Sequence, residues 1–424
     1  MQKNGRGPVP VQRAAPNQRG FMCGAKREIT VMRLLIYIHS LENGGAERVV
    51  ANLANYWISI GWDVTLVTVA SRARDFYALD PAVARVALDL AGGRHNVVAG
   101  FWRTLRRAIA LRRVLRQLQP EVALSAMHTA NVILALAARG LPGLRTIGSE
   151  HNFPPKAPMG VIWETLRRHA YGRLDAVVAL TRECASWLGS HSKARRILVI
   201  PNAVVWPLPA HAPITSPDIC CKPERRILLG VGRLSTEKNF ATLVQIFARL
   251  APLHPAWDLV IVGEGPLHAA LSAQVQAAGL AQRIFLPGSV GNIGDWYGRA
   301  ALYAMSSHFE GFPNTLVEAM AHGVPAVSFD CDTGPRDIVR PGVDGYLVPP
   351  GEARDMQEAL HTLMLDERLR AAFAARATEA RERFSIKKIS SMWEELFAPQ
   401  LDASTAVRTA AASKGAQGAP GSVR

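Results

Sequence analysis

"RLLIYIHSLENGGAERVVANLANYWISIGWDVTLVTVA" occupies residues 33–70 and decides the class of fold. Its first eight residues form an apolar run of strand length, the pattern of a strand buried on both faces. "NGGAERVVANLANYWISIG" (43–61) opens on a glycine turn and continues with the period of an amphipathic helix. "DVTLVTVA" (63–70) returns to strand character, so the stretch is a βαβ unit.

The alternation continues in both directions from this unit. "EVALSAM" (121–127), "RTIGSEH" (145–151), "DAVVALT" (175–181) and "RILVIPNAV" (196–204) are further strand candidates separated mostly by helix-length segments. Residues 205–223 carry five prolines and no periodicity, which marks a linker. A second series then begins with "RILLGVGRL" (226–234) and proceeds through "DLVIVGEG" (258–265), "RIFLPG" (283–288), "ALYAMSS" (301–307) and "PAVSFD" (325–330). The expected architecture is α/β, with two Rossmann-like, doubly wound parallel-sheet domains facing each other across a cleft. The expected boundaries are a disordered extension over 1–30, an acceptor-side domain over 31–204 and the linker over 205–223. A nucleotide-binding domain over 224–384 and a terminal helix over 385–402, packing back toward the first domain, follow. The Ala, Gly and Ser tail over 403–424 is expected to be disordered. Within the second domain's end, 356–384 and 385–397 have helical character.

Length and composition agree with a two-domain enzyme: 424 residues, 49% apolar and 20% charged, are enough for two ordinary cores. The longest apolar runs, such as "NVILALAA" (131–138), are too short to cross a bilayer, and residues 1–30 lack the apolar core of a secretory signal. Five cysteines without metal-ligand spacing point to a reducing, cytoplasmic compartment. The net charge of +15 is unevenly spread: Lys and Arg exceed Asp and Glu by 11 over residues 31–205, whereas acids exceed bases by 4 over 206–402. A basic half suits nucleic acid, an anionic membrane or a phosphorylated substrate.

Four segments stand in a telling order: "NGGAERVV" (43–50), "SEHN" (149–152), "GVGRLSTEKNF" (230–240) and "HFEGFPNTLVEAMAHGVPAV" (308–327). With them the chain from Met32 to Phe397 resembles the retaining, nucleotide-sugar-dependent glycosyltransferases of the GT-B fold, specifically glycosyltransferase family 4. The last segment carries the E-x7-E signature, Glu310 and Glu318. The GGAER and SEHN variants look most like bacterial members that build lipid-linked oligosaccharides, capsules or exopolysaccharides.

The residues themselves fit donor chemistry. A nucleotide sugar presents a diphosphate whose charge rises as the sugar leaves, and Arg233 and Lys238 supply a guanidinium fork and a point charge for it; the resemblance implies that same role. The alternative is two solvated loop cations. Asn314 has the place of an N-cap for the helix beginning "NTLVEAM", so the backbone at Thr315 and Leu316 would face an anion. Glu318 follows within the first turns, where a carboxylate suits the ribose diol, or merely complements the helix dipole. The resemblance places Glu310 on the donor sugar, Gly263 and Glu264 of "GEGP" against the nucleotide, and His151 near the reacting sugar. Glu150 and Asn152 are candidates for shaping the acceptor pocket. Gly44 and Gly45 let the backbone approach donor phosphate or acceptor without a Cβ, or form an ordinary strand-to-helix turn.

"DCD" (330–332) has the look of a manganese-chelating Asp-x-Asp motif. The resemblance instead places it near the donor in a family where cations and helix N-termini neutralise the phosphate. No metal and no other cofactor are expected, with the nucleotide diphosphate sugar acting as substrate. "TGPRDIV" (333–339) departs from the glutamate-containing loop common in relatives by having Asp337. "FWRTLRRAIALRRVLRQL" (101–118) carries six arginines. Its apolar residues Trp102, Leu105, Ile109 and Leu115 or Leu118 are expected to pack on the sheet, leaving arginines for anionic lipid or a polyprenyl diphosphate. No recognition motif or aromatic platform for nucleic acid is present.

The expected activity is transfer of a sugar, from a UDP-sugar in preference to a GDP-sugar, to a carbohydrate or lipid-linked saccharide at the inner face of the cytoplasmic membrane. The resemblance implies retention by front-face attack. The alternatives are nucleotide-sugar epimerisation with hydrolysis, and a non-catalytic glycan-binding homologue.

Overall fold

The computed structural model describes residues 31–92 and 97–398. The expectations for 1–30 and 403–424 lie outside the described residues. The first sheet contains β1 (Arg33–Ile38), β2 (Asp63–Thr68), β3 (Ala84–Ala87), β4 (Val122–Ala126), β5 (Arg145–Glu150), β6 (Ala176–Ala179) and β7 (Ile197–Val199). Its spatial order is β3-β2-β1-β4-β5-β6-β7, and neighbouring strands run parallel. The second contains β8 (Arg226–Val231), β9 (Trp257–Val262), β10 (Ile284–Gly288), β11 (Ala300–Met305), β12 (Ala326–Phe329) and β13 (Gly345–Val348), in the order β10-β9-β8-β11-β12-β13. Strand order reverses between β1 and β4 and between β8 and β11, and such switch points open crevices at the carboxyl ends of the strands.

The continuous apolar runs follow from burial on both faces. In β1, Leu34, Ile36 and Ile38 enter one core while Leu35 and Tyr37 enter the core on the opposite face. In β8, Leu228 faces one way and Ile227 and Leu229 the other. Each fully buried aliphatic chain contributes about 1.5–3 kcal/mol.

β3 and β13 were not among the expected strands. Each is a four-residue edge strand with little apolar signal; β3 contains Arg85, buried by bonding Asp75 Oδ1 at 2.8 Å and Thr68 Oγ1 at 2.7 Å. The helical stretch 356–384 resolves into three helices, Ala353–Leu365, Glu367–Ala377 and Ala380–Arg383.

After these the chain crosses back to the first sheet. Val204 N–H bonds Phe384 O at 2.8 Å, and the helix Ile386–Phe397 buries Ile389, Trp393, Leu396 and Phe397 in the core beneath β1. Trp57 Nε1 donates to Ser390 Oγ at 2.7 Å, and the Trp57 ring lies 5.4 Å from Phe397.

The arginine-rich helix, Val97–Leu118, sits differently from expectation. It buries Thr104, Ala108, Leu111, Val114 and Leu115, a stripe of 3- and 4-residue spacing made of smaller side chains. Trp102 is 58% exposed, Leu105 37% and Ile109 44%, so the bulkier stripe faces outward beside Phe101 at 63%. Leu115 alone of the expected apolar face is fully buried. Arg103, Arg107 and Arg112 are half-buried and donate to main-chain carbonyls, whereas Arg106, Arg113 and Arg116 are exposed. Among the described residues no helix is long and apolar enough to cross a membrane.

Candidate active site

The loops at the carboxyl ends of the two sheets meet in a closed seam. From the first domain, the helix Gly45–Ser59 starts directly after the β1 loop, with Gly44 extended at its N-cap position and no side chain capping it. From the second, the "FEGFPN" loop lies against the turn after β5. Gly311 makes that approach possible, because a Cβ there would stand 2.2 Å from His151 O. Lys156 Nζ reaches Asp332 Oδ2 at 3.0 Å across the same seam.

Glu310 is 9% exposed and held entirely by its own domain. Lys238 Nζ donates to its Oε1 at 2.6 Å, and Ser307 Oγ donates to the same oxygen at 2.6 Å. Lys238 is positioned in turn by its backbone carbonyl, which accepts from Ser306 Oγ at 3.0 Å. Arg233, on the loop after β8, is exposed and makes no ion pair within the described residues. Its guanidinium faces Glu47 in the first turn of the helix Gly45–Ser59 closely enough to counter the rise that burial produces in that carboxyl's pKa.

The "GEGP" loop supports this cation from behind. Gly263 adopts φ 144°, and a Cβ on it would stand 2.0 Å from Gly232 O. Leu234 N–H bonds Glu264 O at 2.9 Å, so Gly263 and Glu264 stack backbone on backbone with the Arg233 loop while the Glu264 side chain stays exposed.

The helix Asn314–Ala321 begins one residue earlier than an Asn314 cap requires. Pro313 holds the N-cap position, and no side chain caps the helix. Asn314 is spent across the seam instead: its Nδ2 donates to Gly45 O at 3.3 Å and its Oδ1 accepts from Asn202 Nδ2 at 2.9 Å. Thr315 Oγ1 accepts from Tyr303 OH at 2.8 Å, and Leu316 is buried in the core with its N–H turned to Pro313 O at 3.1 Å.

Glu318 is 5% exposed. Arg48 Nη2 bonds its Oε1, and Tyr297 OH donates to its Oε2 at 3.1 Å. Burial raises the pKa of this carboxyl, while the Arg48 charge and the Tyr297 hydrogen bond oppose the rise.

His151 follows β5 directly and shares a 3.1 Å hydrogen bond between Nε2 and Ser149 Oγ. Burial pushes its pKa down to about 4, which keeps the ring neutral near pH 7. Glu150 turns away from the seam surface and is 1% exposed. Tyr171 OH donates to its Oε2 at 2.6 Å and itself accepts from Asn131 Nδ2 at 3.1 Å; among the described residues Oε1 has no hydrogen-bond partner. Burial raises its pKa to about 7. Asn152 O accepts from Cys184 Sγ at 3.7 Å.

In the "DCD" segment Asp330 takes Arg336 Nε at 2.9 Å and Asp332 takes Lys156, with Cys331 buried between them. Asp337 faces Glu183 of the first domain, and burial together with that charge raises its pKa to about 6.

The seam thus gathers Gly44, Gly45, His151, Lys238, Glu310, Asn314 and Glu318. Arg48, Asn202 and Tyr297 complete it without having been singled out from sequence. Arg48 was visible inside "GGAER", but its partner lies 270 positions away.

The family model described as "Glycosyl transferases group 1" matches residues 219–380, and that described as "Glycosyltransferase Family 4" matches 43–205. An exopolysaccharide phosphotransferase of Streptomyces coelicolor is 30% identical over 84% of this chain, which spans 39% of that protein's length. The amylovoran biosynthesis glycosyltransferase AmsD of Erwinia amylovora is 27% identical, over 86% of this chain and 99% of its own. An N-acetyl-D-galactosaminyltransferase of Campylobacter jejuni, named for a diphospho-undecaprenol-linked glycan, is 26% identical over 87% and 99%. Among solved structures, sucrose-phosphate synthase from Thermosynechococcus elongatus superposes with TM-score 0.74 at 18% identity, covering 86% of this chain and 98% of its own. HepE of Anabaena, solved with UDP-glucose, gives 0.71 at 19% over 86% and 99%.

Proposed function

We propose that this chain, which belongs to the family 4 glycosyltransferases with the GT-B fold, transfers a sugar with retained anomeric configuration from a nucleotide diphosphate sugar. A UDP-sugar is the favoured donor. The acceptor is a carbohydrate or a polyprenyl-diphosphate-linked saccharide used in building a cell-surface polysaccharide or glycan. The relatives named for amylovoran and for an undecaprenol-linked glycan support the acceptor class, and HepE solved with UDP-glucose supports the donor.

The observation that carries the reading is the separation of two buried glutamates on either side of one helix start. Glu310 sits beside the Lys238 ammonium, where a sugar and its leaving phosphate meet, and Glu318 lies along the first turns of the helix. In this assignment Glu310 orients the sugar, Lys238 and Arg233 take the growing phosphate charge, and Glu318 grips the ribose diol. The phosphate lies toward the uncapped N-terminus of the helix Gly45–Ser59. Neutral His151 lines the reacting sugar and donates or accepts a hydrogen bond without adding charge. The departing phosphate takes the acceptor proton, so no metal is required. Arg106, Arg113 and Arg116, with exposed Phe101 and Trp102 beside them, hold the first domain on an anionic membrane.

Thermal-shift titration with a panel of nucleotide sugars, followed by nuclear magnetic resonance of the product's anomeric centre, tests the proposal. A donor at 100 times its dissociation constant stabilises by about 2.7 kcal/mol. Product of inverted configuration overturns the retaining mechanism, and release of free sugar in the presence of acceptor favours hydrolysis over transfer.

A further inference from the structure

The ion pair between Arg48 and Glu318 joins the two domains at the carboxylate proposed for ribose. Arg48 stands in the first turn of the helix Gly45–Ser59, and Glu318 stands on the helix Asn314–Ala321. The Arg48 side chain is 24% exposed and that of Glu318 6%. Both carboxylate oxygens are already engaged, Oε1 by Arg48 and Oε2 by Tyr297 OH. Each oxygen keeps a second lone pair, but the Glu318 side chain is only 6% exposed, so a vicinal diol reaches the carboxylate only where Arg48 now covers it. The guanidinium and the diol therefore compete for one carboxylate. Because the competitors come from opposite sides of the cleft, releasing Arg48 also loosens the seam that Asn314 makes with Gly45 and Asn202.

We infer that Arg48 is a positioning residue of the donor site: it holds Glu318 against the first domain while the site is empty and yields the carboxylate to the donor's ribose. This rests on the ribose role proposed for Glu318. Arg48 occupies the ligand's place in the empty site, and the population free to bind is reduced by the fraction in which the pair is made.

Calorimetric titration with UDP and small-angle scattering of the nucleotide-free protein test this, using Arg48→Gln. The variant binds UDP about tenfold more tightly, donor KM falls while kcat holds, and the radius of gyration of the nucleotide-free protein increases. Unchanged or weaker UDP binding, or unchanged scattering, overturns the inference. A charge-swapped protein, Arg48→Glu with Glu318→Arg, guards against simple misfolding: it returns to the compact form without nucleotide, and an expanded swap overturns the latch. Adding Glu318→Gln to Arg48→Gln weakens UDP binding roughly ten- to a hundredfold. If it does not, the ribose reading fails, whereas the latch is still judged by the scattering of Arg48→Gln and the swap.

Discussion

Glu310 and Glu318 differ in who holds them. Glu310 is fixed by Lys238 and Ser307, both of its own domain, so its geometry survives any movement of the other. Glu318 is held on one oxygen by Tyr297 of its own domain and on the other by Arg48 of the opposite one. A carboxylate that must stabilise a changing charge profits from a rigid setting, since reorganisation at the moment of reaction costs rate. One that captures a ligand can be tied to the opposite domain, because releasing it to the ligand is then coupled to how the two domains are held.

The largest effect should separate the two by kinetics. Lys238→Met leaves Glu310 buried without its cation and, in the proposed assignment, removes a charge from the leaving phosphate, so kcat/KM should fall by about 10²–10³. The fall should lie mainly in kcat, measured at saturating donor. A loss confined to donor KM would place Lys238 with the ligand-capturing group and break the contrast.

A second buried carboxyl sharpens it. Glu150 has no cation bonded to it, and burial raises its pKa from 4.5 to about 7. The native state therefore holds its proton longer than the unfolded chain does. The sign follows: stability is retained below about pH 4.5 and is lost as pH rises through about 7. Glu150→Gln should remove that loss, gaining stability relative to the parent by roughly 3 kcal/mol between pH 5 and 8. Denaturant melts at the two pH values check it, and a constant difference would mean that Glu150 is ionised throughout.

The basic first domain and the acidic second should also differ at a membrane. Replacing Arg106, Arg113 and Arg116 by Gln should weaken partition onto anionic vesicles by about 1 kcal/mol per cation. Vesicle co-sedimentation reads this, and equal partition of parent and variant would leave the exposed face without a lipid role. The smallest expected effect is that of EDTA: transfer by protein freed of divalent ions should match that of untreated protein if, as proposed, Arg233 and Lys238 carry the phosphate charge. Loss restored by manganese would return the "DCD" carboxylates to consideration.

The fold was legible because eleven central and flanking strands carry apolar runs that the helices on both faces demand. β3 and β13 escaped because a four-residue edge strand needs few apolar side chains, and Arg85 in β3 is buried only through Asp75 and Thr68. The site was legible where residues cluster in sequence, as at "GRLSTEK" and "FEGFPNTLVE". Arg48 with Glu318, and Asn314 with Asn202, are contacts between distant segments that no local spacing encodes. The arginine helix shows a further limit: two stripes of similar spacing run along it, and side-chain hydrophobicity alone favours the bulkier, which is the exposed one. Close packing against the sheet favoured the smaller stripe, Thr104, Ala108, Leu111 and Leu115.

The central claim is that Glu310 serves the sugar and Glu318 the nucleotide. Calorimetry of UDP binding to Glu310→Gln tests it most directly, since UDP carries the ribose and both phosphates but no sugar. The account predicts a dissociation constant within about twofold of the parent's, alongside a reduced kcat/KM for the nucleotide sugar. Weakening of UDP binding by roughly tenfold or more, equal to that caused by losing Glu318 once Arg48 is removed, would contradict it.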